Sequence, residues 1–278
     1  MGYFQPLIFF VLAAFPFMFI SPSHSSLDYE IAKNLLPAKQ VGNVTLSLYY
    51  ETLCPGCAYF ITSDLVKVFQ TDLYTIVNLR FVPWGNAKIV GDKIRCQHGE
   101  DECYLNAIHS CVIHLWPDVK THFRFIHCTE EQSLEGPASS KEAMWKNCSD
   151  KLGLRGDMIN KCYSTGLGMK LLRRYGNETA RLIPPHEYVP WVVVNNTPLR
   201  KVSFSLPLSP CDFEVTFVTS NFNTYFVAQD FENFVKHVCD AYKGDPKPEA
   251  CTTQSSSVSS TNRKIATEIH PACYAEQT

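Results

Sequence analysis

Two cysteines separated by two residues, in Cys54-Pro55-Gly56-Cys57, are the side chains of this sequence best suited to chemistry. They follow a strand-like run over residues 44–50 and precede a helix-like run over residues 58–69. A Cys-x-x-Cys pair at the start of a helix is typical of a dithiol redox centre. This position distinguishes the pair from the chance spacings that a chain with 12 Cys can contain.

The chemistry of such a pair is thiol–disulfide exchange. We expect Cys54 at the helix N-cap and Pro55 at the first helical position, where proline's missing N–H costs no helical hydrogen bond. The first-turn N–H groups and the helix dipole then favour the thiolate of Cys54, which is the nucleophile. Cys57 returns to the same side of the first turn and can attack a mixed disulfide at Cys54. This exchange needs no metal or organic cofactor.

Other interpretations of the pair compete with a reductase centre. A zinc site would require a second Cys-x-x-Cys or a His pair at matching spacing, and the sequence contains no second Cys-x-x-Cys. A permanent Cys54–Cys57 bridge would make the chain a non-catalytic binding module. A disulfide oxidase or isomerase is a third alternative, because the redox potential sets the direction of exchange.

The composition indicates one globular domain. The chain has 278 residues, 45% of them hydrophobic, and its net charge of −2 provides no basic surface for nucleic acid. We assign residues 43–250 to this domain, with a helical insertion at 91–180 and an atypical insert at 201–229. Residues 251–278 are rich in Ser and Thr and are predicted to lack structure.

The N-terminus predicts entry into the secretory pathway. Residues 1–25 have the apolar run of a signal peptide, residues 26–42 form a propeptide or arm, and no other stretch is suited to membrane insertion. We expect a final location in the lysosome or vacuole or outside the cell. Four glycosylation sequons support this route, and they begin at Asn43, Asn147, Asn177 and Asn195.

Hydrophobic periodicity predicts the elements around the dithiol. Residues 44–50 alternate as a strand, residues 58–69 have helical spacing, and residues 76–82 form a second strand, which together make a βαβ unit. The insertion has helix-like stretches at 103–116, 141–152 and 157–175. A last helix is predicted over residues 230–242 with Asp230 as its N-cap.

The most specific motif is Cys96-Gln97-His98-Gly99-Glu100-Asp101-Glu102-Cys103, followed by Asn106 and Cys111. It resembles the signature of the gamma-interferon-inducible lysosomal thiol reductase family. The upstream Cys-x-x-Cys and the downstream Tyr-Val-Pro-Trp-Val segment at 188–192 resemble the same family in the same order.

The resemblance implies an α/β, thioredoxin-like fold with a disulfide-rich helical insertion. It implies an oxidoreductase that reduces disulfide-bonded protein substrates, with a small-molecule or protein thiol as electron donor. Cys54 would be the nucleophile and Cys57 the resolving cysteine. Pro190 would be a cis-proline, and the backbone before it, at Val189, would hold a substrate strand. We interpret Gln97, His98, Glu102 and Asn106 as structural.

The oxidising compartment favours disulfides over metal ligands for the remaining cysteines. An alternative zinc site could be drawn from Cys96, His98, Cys103 and His109, but we expect no metal. The sequence leaves the pairing open. Eight cysteines are structural disulfide candidates: Cys96, Cys103, Cys111, Cys128, Cys148, Cys162, Cys239 and Cys251.

Residues 201–229 depart from the resemblance, because family members pass almost directly from the Leu199 region to the last helix. The segment contains the unmatched Cys211. One hypothesis is a retained intron or splice variant, and the other is a genuine extra β-hairpin.

An acidic compartment places a demand on Cys54. A thiol with an ordinary pKa of about 8.5 is almost wholly protonated near pH 5, so Cys54 would need a strongly stabilised thiolate. The sequence shows no Lys or Arg that must supply positive charge, and His186 is the candidate for it.

Overall fold

The central sheet of the protein, seen in a computed structural model, has four strands in the order β2-β1-β6-β7. The strands β1 (Val44–Tyr50) and β2 (Val77–Pro83) run parallel, which confirms the predicted βαβ unit. On the other side of β1 lies β6 (Trp191–Val194), antiparallel to it, and β7 (Thr197–Pro198) pairs with β6. Because β1 is flanked by two strands and covered on its faces, nearly all of its residues are buried.

The structure describes residues 2, 42–135, 140–199, 201–206, 224–231, 233–253 and 273–274. Only residues 2 and 42 of the predicted signal peptide (1–25) and arm (26–42) are among them, so both predictions lie outside the described residues. Among the described residues, no helix has both the length and the apolar character needed to cross a membrane.

Short helical segments connect β1 to β2, where the sequence predicted a single helix over residues 58–69. The hydroxyl of Thr62 donates hydrogen bonds to the carbonyls of Ala58 and Tyr59, an interaction that competes with the helical ladder and bends helices. The segments are α1 (Pro55–Tyr59), a π-helical turn (Phe60–Leu65), α2 (Lys67–Gln70) and a 3-10 turn (Asp72–Thr75).

The region between β2 and the second half of the sheet is helical, as expected. A small hairpin, β3 (Lys88–Val90) and β4 (Lys93–Arg95), comes first. Five helices follow: α3 (Glu100–Leu115), α4 (Val119–Leu134), α5 (Lys141–Lys151), α6 (Gly156–Ser164) and α7 (Leu167–Thr179). Their own apolar core is built around the buried Trp145.

Two details of this helical region differ from the sequence prediction. The helix α4 was not predicted, although Asp118 caps it by accepting a hydrogen bond from the Thr121 N–H at 2.9 Å. The single helix predicted over residues 157–175 is two helices. Gly166 separates them with a φ of 78°, a left-handed conformation that glycine adopts without strain.

The chain re-enters the sheet through β5 (Tyr188–Val189) and a cis peptide bond between Val189 and Pro190. The predicted cis-proline is therefore confirmed. Together with the strand order of the central sheet, it gives the thioredoxin-like fold that the resemblance implied. The last predicted helix is shorter than expected: α8 (Phe234–Ala241) has Asn233 as its N-cap, and Asp230 instead accepts a hydrogen bond from the Asn233 side chain.

Two segments after the sheet carry further strands. Within the 201–229 insert, β8 (Lys201–Leu206) and β9 (Thr224–Gln229) form an antiparallel pair that is a sheet of its own, while Cys211 lies outside the described residues. The structure also differs from the predicted unstructured tail: after α9 (Glu249–Thr253), Cys273 and Tyr274 form β10, which pairs with β5.

Candidate active site

Cys54 and Cys57 lie where β1 turns into α1. Cys54 is the N-cap of α1 in an extended conformation, Pro55 stands in the first turn, and the Cys54 carbonyl accepts a hydrogen bond from the Ala58 N–H at 3.0 Å. This local placement is the one that the sequence predicted. Both cysteine side chains are fully buried and neither is joined in a disulfide. Their reactions therefore depend on the side chains and backbone that surround them.

The two thiols differ in acidity. Burial raises the pKa of Cys54, but hydrogen bonds from Cys273 and Cys57, with the charge of His98, outweigh burial and hold that pKa well below its ordinary value. Burial and the adjacent Cys54 sulfur raise the pKa of Cys57 well above its ordinary value, and the carboxylate of Glu51 adds to this. A thiolate at one position beside a thiol at the other is the division of roles that thiol–disulfide exchange requires.

The turn that presents Cys54 is held by α3, the helix of the signature motif. The side chain of Asn106 accepts a hydrogen bond from the Thr52 N–H at 2.9 Å and donates one to Glu102 at 3.2 Å. The Thr52 hydroxyl donates to the Glu102 carbonyl, also at 3.2 Å. These bonds fix a turn in which Leu53 has a φ of 63°, which is uncommon for a residue other than glycine. Glu102 and Asn106 thus support the backbone directly before Cys54.

The cis-proline segment forms the opposite wall. The Val189 carbonyl oxygen lies 3.9 Å from Cys54 Sγ, and Val189 is fully buried. The short strand β5 ends at this residue, so its backbone hydrogen-bonding edge runs past the Cys54 sulfur. In the structure this edge is occupied by β10, with Cys273 opposite Val189 and Tyr274 opposite Tyr188.

His98 brings positive charge to the site. Its Nδ1 lies 3.0 Å from a Glu102 oxygen and 3.5 Å from a Glu51 oxygen, and both carboxylates are fully buried. Its Nε2 faces Cys273 Sγ at 3.9 Å. Two carboxylates beside one ring nitrogen favour the imidazolium form. The sequence interpretation of His98 as structural is therefore incomplete, because its charge also lowers the pKa of Cys54.

His186, the histidine that the sequence suggested for this role, does not supply the charge. Burial lowers the pKa of His186, and a hydrogen bond at the Gly85 backbone opposes that effect. The neutral imidazole of His186 is therefore favoured. The histidine that lowers the pKa of Cys54 is His98.

A buried polar chain lies behind the dithiol. His109 Nδ1 is 2.9 Å from the Tyr50 hydroxyl, and its Nε2 is 2.8 Å from the Thr129 hydroxyl. Burial lowers the pKa of His109 to about 3, so the ring stays neutral at the pH of any cell compartment. Burial also raises the pKa of the neighbouring Glu130 carboxyl well above its ordinary value, and the Cys54 charge adds to this. Sequence reasoning identified neither Tyr50 nor Glu130.

The structure contradicts the alternative zinc site. Cys96 is joined to Cys103, and His109 points to Tyr50 and Thr129 rather than to those sulfurs. Among the described residues, two overlapping groups have atoms of the type that bind metals within 4.8 Å of one another. One is Glu51 with Cys54 and Cys273, and the other is Glu51 with His98 and Glu102.

The cysteines outside the dithiol form a pattern of bridges that the sequence left open. The pairs are Cys96–Cys103, Cys111–Cys162, Cys128–Cys148 and Cys239–Cys251. The first three staple the helical region, and the fourth ties α8 to α9. The sequon asparagines are all exposed, namely Asn43, Asn147, Asn177 and Asn195.

Sequence reasoning missed two residues beside the dithiol, Glu51 and Cys273. Glu51 directly follows β1, and its carboxylate accepts a hydrogen bond from the Asn86 N–H at 2.7 Å. Cys273 belongs to a segment whose composition indicated no structure. The available signal was the number of cysteines, since the dithiol and the eight disulfide candidates account for ten of the 12.

Comparison with known proteins identifies the family. Residues 45–152 match the family described as gamma interferon inducible lysosomal thiol reductase (GILT). The chain is 40% identical over 238 residues to the gamma-interferon-responsive lysosomal thiol protein of Arabidopsis thaliana, covering 85% of this chain and 87% of that protein. It is 31% identical over 230 residues to the gamma-interferon-inducible lysosomal thiol reductase of Mus musculus, covering 80% of this chain and 75% of that protein.

Among solved structures, the chain is similar to BdbD from Bacillus subtilis, with a TM-score of 0.47 and 13% identity over 74% of this chain and 91% of that one. It is also similar to DsbG from Mycobacterium tuberculosis, with a TM-score of 0.47 and 15% identity over 78% of this chain and 86% of that one. The identity to the curated relatives extends over most of their length as well as most of this chain. The chain therefore belongs to the gamma interferon inducible lysosomal thiol reductase family, a family of oxidoreductases that act on sulfur groups.

Proposed function

We propose that this chain reduces disulfide bonds of protein substrates, with Cys54 as the nucleophile and Cys57 as the resolving cysteine. The observation that carries the proposal is the opposite shift of the two thiols: the pKa of Cys54 is lowered and that of Cys57 is raised. In a structural bridge neither shift would serve a purpose. The site geometry supports the same conclusion, because the cis-proline segment brings a strand edge to Cys54.

The first step is attack by the Cys54 thiolate on one sulfur of a substrate disulfide. A Cys54–substrate disulfide forms, the substrate disulfide breaks, and the second substrate sulfur leaves as a thiolate that takes a proton. An extended substrate segment would pair with the backbone of Tyr188 and Val189, which is the mode of recognition known as strand addition. This assigns substrate binding to Val189 and Pro190.

The second step is attack by Cys57 on Cys54, and its timing follows from the causes of the raised Cys57 pKa. Both the hydrogen bond to the Cys54 thiolate and the repulsion by its charge raise that pKa. Both vanish once Cys54 is bonded to substrate, so Cys57 becomes more acidic when its thiolate is needed. The products are a Cys54–Cys57 disulfide and the second reduced substrate sulfur, and a small-molecule or protein thiol then restores the dithiol.

We also propose the secretory pathway as the route and the lysosome, vacuole or cell exterior as the location. The exposed sequons and the disulfides support this route, and relatives are named as lysosomal proteins. A thiol of ordinary pKa, about 8.5, would be ionised at only about 0.03% at pH 5. The lowered pKa of Cys54 increases the thiolate fraction and so favours reduction in an acidic compartment.

The test is reduction of a disulfide-bonded protein by the purified chain, with Cys54→Ser and Cys57→Ser variants. We expect Cys54→Ser to abolish activity. We expect Cys57→Ser to accumulate enzyme linked to substrate by a disulfide, seen as a band that disappears when the sample is reduced before electrophoresis. Activity that survives Cys54→Ser would refute the mechanism. An oxidase would instead run the exchange in the opposite direction, so a potential well above that of glutathione would favour that second candidate.

A further inference from the structure

The C-terminal strand β10 occupies the edge that the proposed function assigns to substrate. Cys273 pairs with Val189 and Tyr274 with Tyr188, antiparallel, directly before the cis bond to Pro190. Cys273 is fully buried there. A segment of the chain itself, carrying a cysteine, thus lies where an extended disulfide-bearing substrate would lie.

The sulfur of Cys273 is aligned with that of Cys54. The two Sγ atoms are 2.6 Å apart, whereas a disulfide bond measures about 2.0 Å. Joining them requires a movement of well under one ångström. The same sulfur faces His98 Nε2 at 3.9 Å, so the positive charge that stabilises a thiolate at Cys54 lies beside both sulfurs.

A side-chain contact fixes the backbone of Cys273 as well. The Asn86 amide donates a hydrogen bond to the Cys273 carbonyl at 3.0 Å and another to the Gln97 side chain at 2.7 Å. Gln97 belongs to the signature motif, so the motif reaches β10 through Asn86 and through His98. Strand pairing, an amide clamp and the sulfur contact therefore converge on one residue of the C-terminal segment.

We propose that Cys273 is a third redox-active cysteine of this chain, which forms a disulfide with Cys54. The proposal rests on the proposed function, because turnover leaves a Cys54–Cys57 disulfide. The thiolate of Cys273 attacks Cys54 Sγ, the Cys54–Cys273 bond forms, and the Cys54–Cys57 bond breaks. Cys57 leaves as a thiolate and takes up a proton. One disulfide replaces another, so no external oxidant or reductant takes part, and attack by Cys57 reverses the step.

This exchange makes the C-terminal segment an internal competitor of substrate. A segment tethered to the domain has an effective concentration of about millimolar, and it uses the same strand edge as substrate. Proteins that bind in its place must therefore displace β10. We expect the competition to raise KM for substrate without changing kcat.

The linkage is tested in the full chain carrying Cys57→Ser, treated with glutathione disulfide. Cys54 takes one glutathione and releases the other as a thiol, and Cys273 then displaces the bound glutathione. After acid quenching, alkylation and digestion without reductant, mass spectrometry should find the Cys54 peptide joined to the Cys273 peptide as the main product. Adding Cys273→Ser should leave glutathione on Cys54, while adding Cys211→Ser as the matched control should not alter the linkage.

Two results would overturn the proposal in different ways. If glutathione stays on Cys54 in the Cys57→Ser chain and Cys273 is recovered alkylated, the third cysteine is not redox-active, although the reactivity of Cys54 and the proposed function stand. If Cys54 forms no disulfide with glutathione at all, the proposed function fails with it. In the otherwise unchanged chain, Cys273→Ser should lower KM for a disulfide-bonded protein several-fold, whereas an unchanged KM refutes the competition.

Discussion

Replacing His98 by glutamine should make Cys54 a weaker acid. Cys273 Sγ lies 3.9 Å from His98 Nε2 and 2.6 Å from Cys54 Sγ, so the imidazolium charge is within about 6.5 Å of the Cys54 sulfur. At that separation the attraction between unit charges is about 0.6 kcal/mol in water and about 2.6 kcal/mol at an effective dielectric constant of about 20. Since one pKa unit corresponds to about 1.36 kcal/mol, His98→Gln should raise the pKa of Cys54 by about one unit, within a range of about half a unit to about two.

The assay is the pH dependence of alkylation at Cys54, followed by mass spectrometry of the peptide that carries it. The midpoint of the alkylation profile should move up by about one pH unit in His98→Gln, and below both midpoints the rate should fall about tenfold. The difference in alkylation rate between the unchanged chain and His98→Gln should shrink at alkaline pH, where the imidazolium is lost. His114 lies exposed near the end of α3, the helix that begins just after His98, so His114→Gln is the matched control and should leave the profile unchanged.

An unchanged midpoint in His98→Gln would refute the electrostatic role of His98. A loss of rate that is equal at every pH would also refute it, because it would indicate a structural disturbance rather than a lost charge. Thermal unfolding of the variant separates these cases, since His98 also contacts the buried carboxylates of Glu51 and Glu102.

Two further predictions concern stability and the insert. The pKa of buried His109 is about 3 in the folded chain and about 6.5 in the unfolded chain, so the free energy of unfolding should fall by about 2 kcal/mol between pH 7 and pH 5. In His109→Gln, denaturant titrations at the two pH values should not show this decrease. An equal decrease in the variant would contradict the assignment. Deleting residues 201–229 should leave reductase activity and the melting temperature nearly unchanged, because β8 and β9 pair only with each other among the described strands. If the shortened chain fails to fold, the hairpin is a required element.

The elements nearest the dithiol were predictable because their signals are local. The alternation of β1, the proline after Cys54 and the proline at 190 each mark a structure within a few residues. The helix α4 was missed since its apolar positions, Phe123, Phe125 and Ile126, are interleaved with histidines and charged residues, so the stripe is weak. Its N-cap signal at Asp118 was present and would have identified the start.

The surroundings of the dithiol were not predictable, because they come from segments that are distant along the chain. Glu51 is adjacent in sequence, but His98 arrives from the loop before α3 and Cys273 from the C-terminal segment. A two-residue strand such as β10 has no periodicity to detect, and only pairing with β5 defines it. The composition of residues 251–278 correctly indicates a chain without a core of its own, yet it carries no information about docking on another segment.

The two histidines of the site have opposite surroundings, and both arrangements suit reduction at low pH. His98 is 24% exposed and has two carboxylates at one nitrogen, and the charge of the protonated ring favours the Cys54 thiolate. His109 is fully buried, and its pKa of about 3 keeps it neutral, so its hydrogen bonds to Tyr50 and Thr129 persist. A charged imidazolium therefore lies beside Cys54, while the histidine in the buried core behind it stays neutral. Burying a neutral His109 lowers the free energy of unfolding of the protein in acid. The disulfides of the helical region offset this loss, because they restrict the unfolded chain.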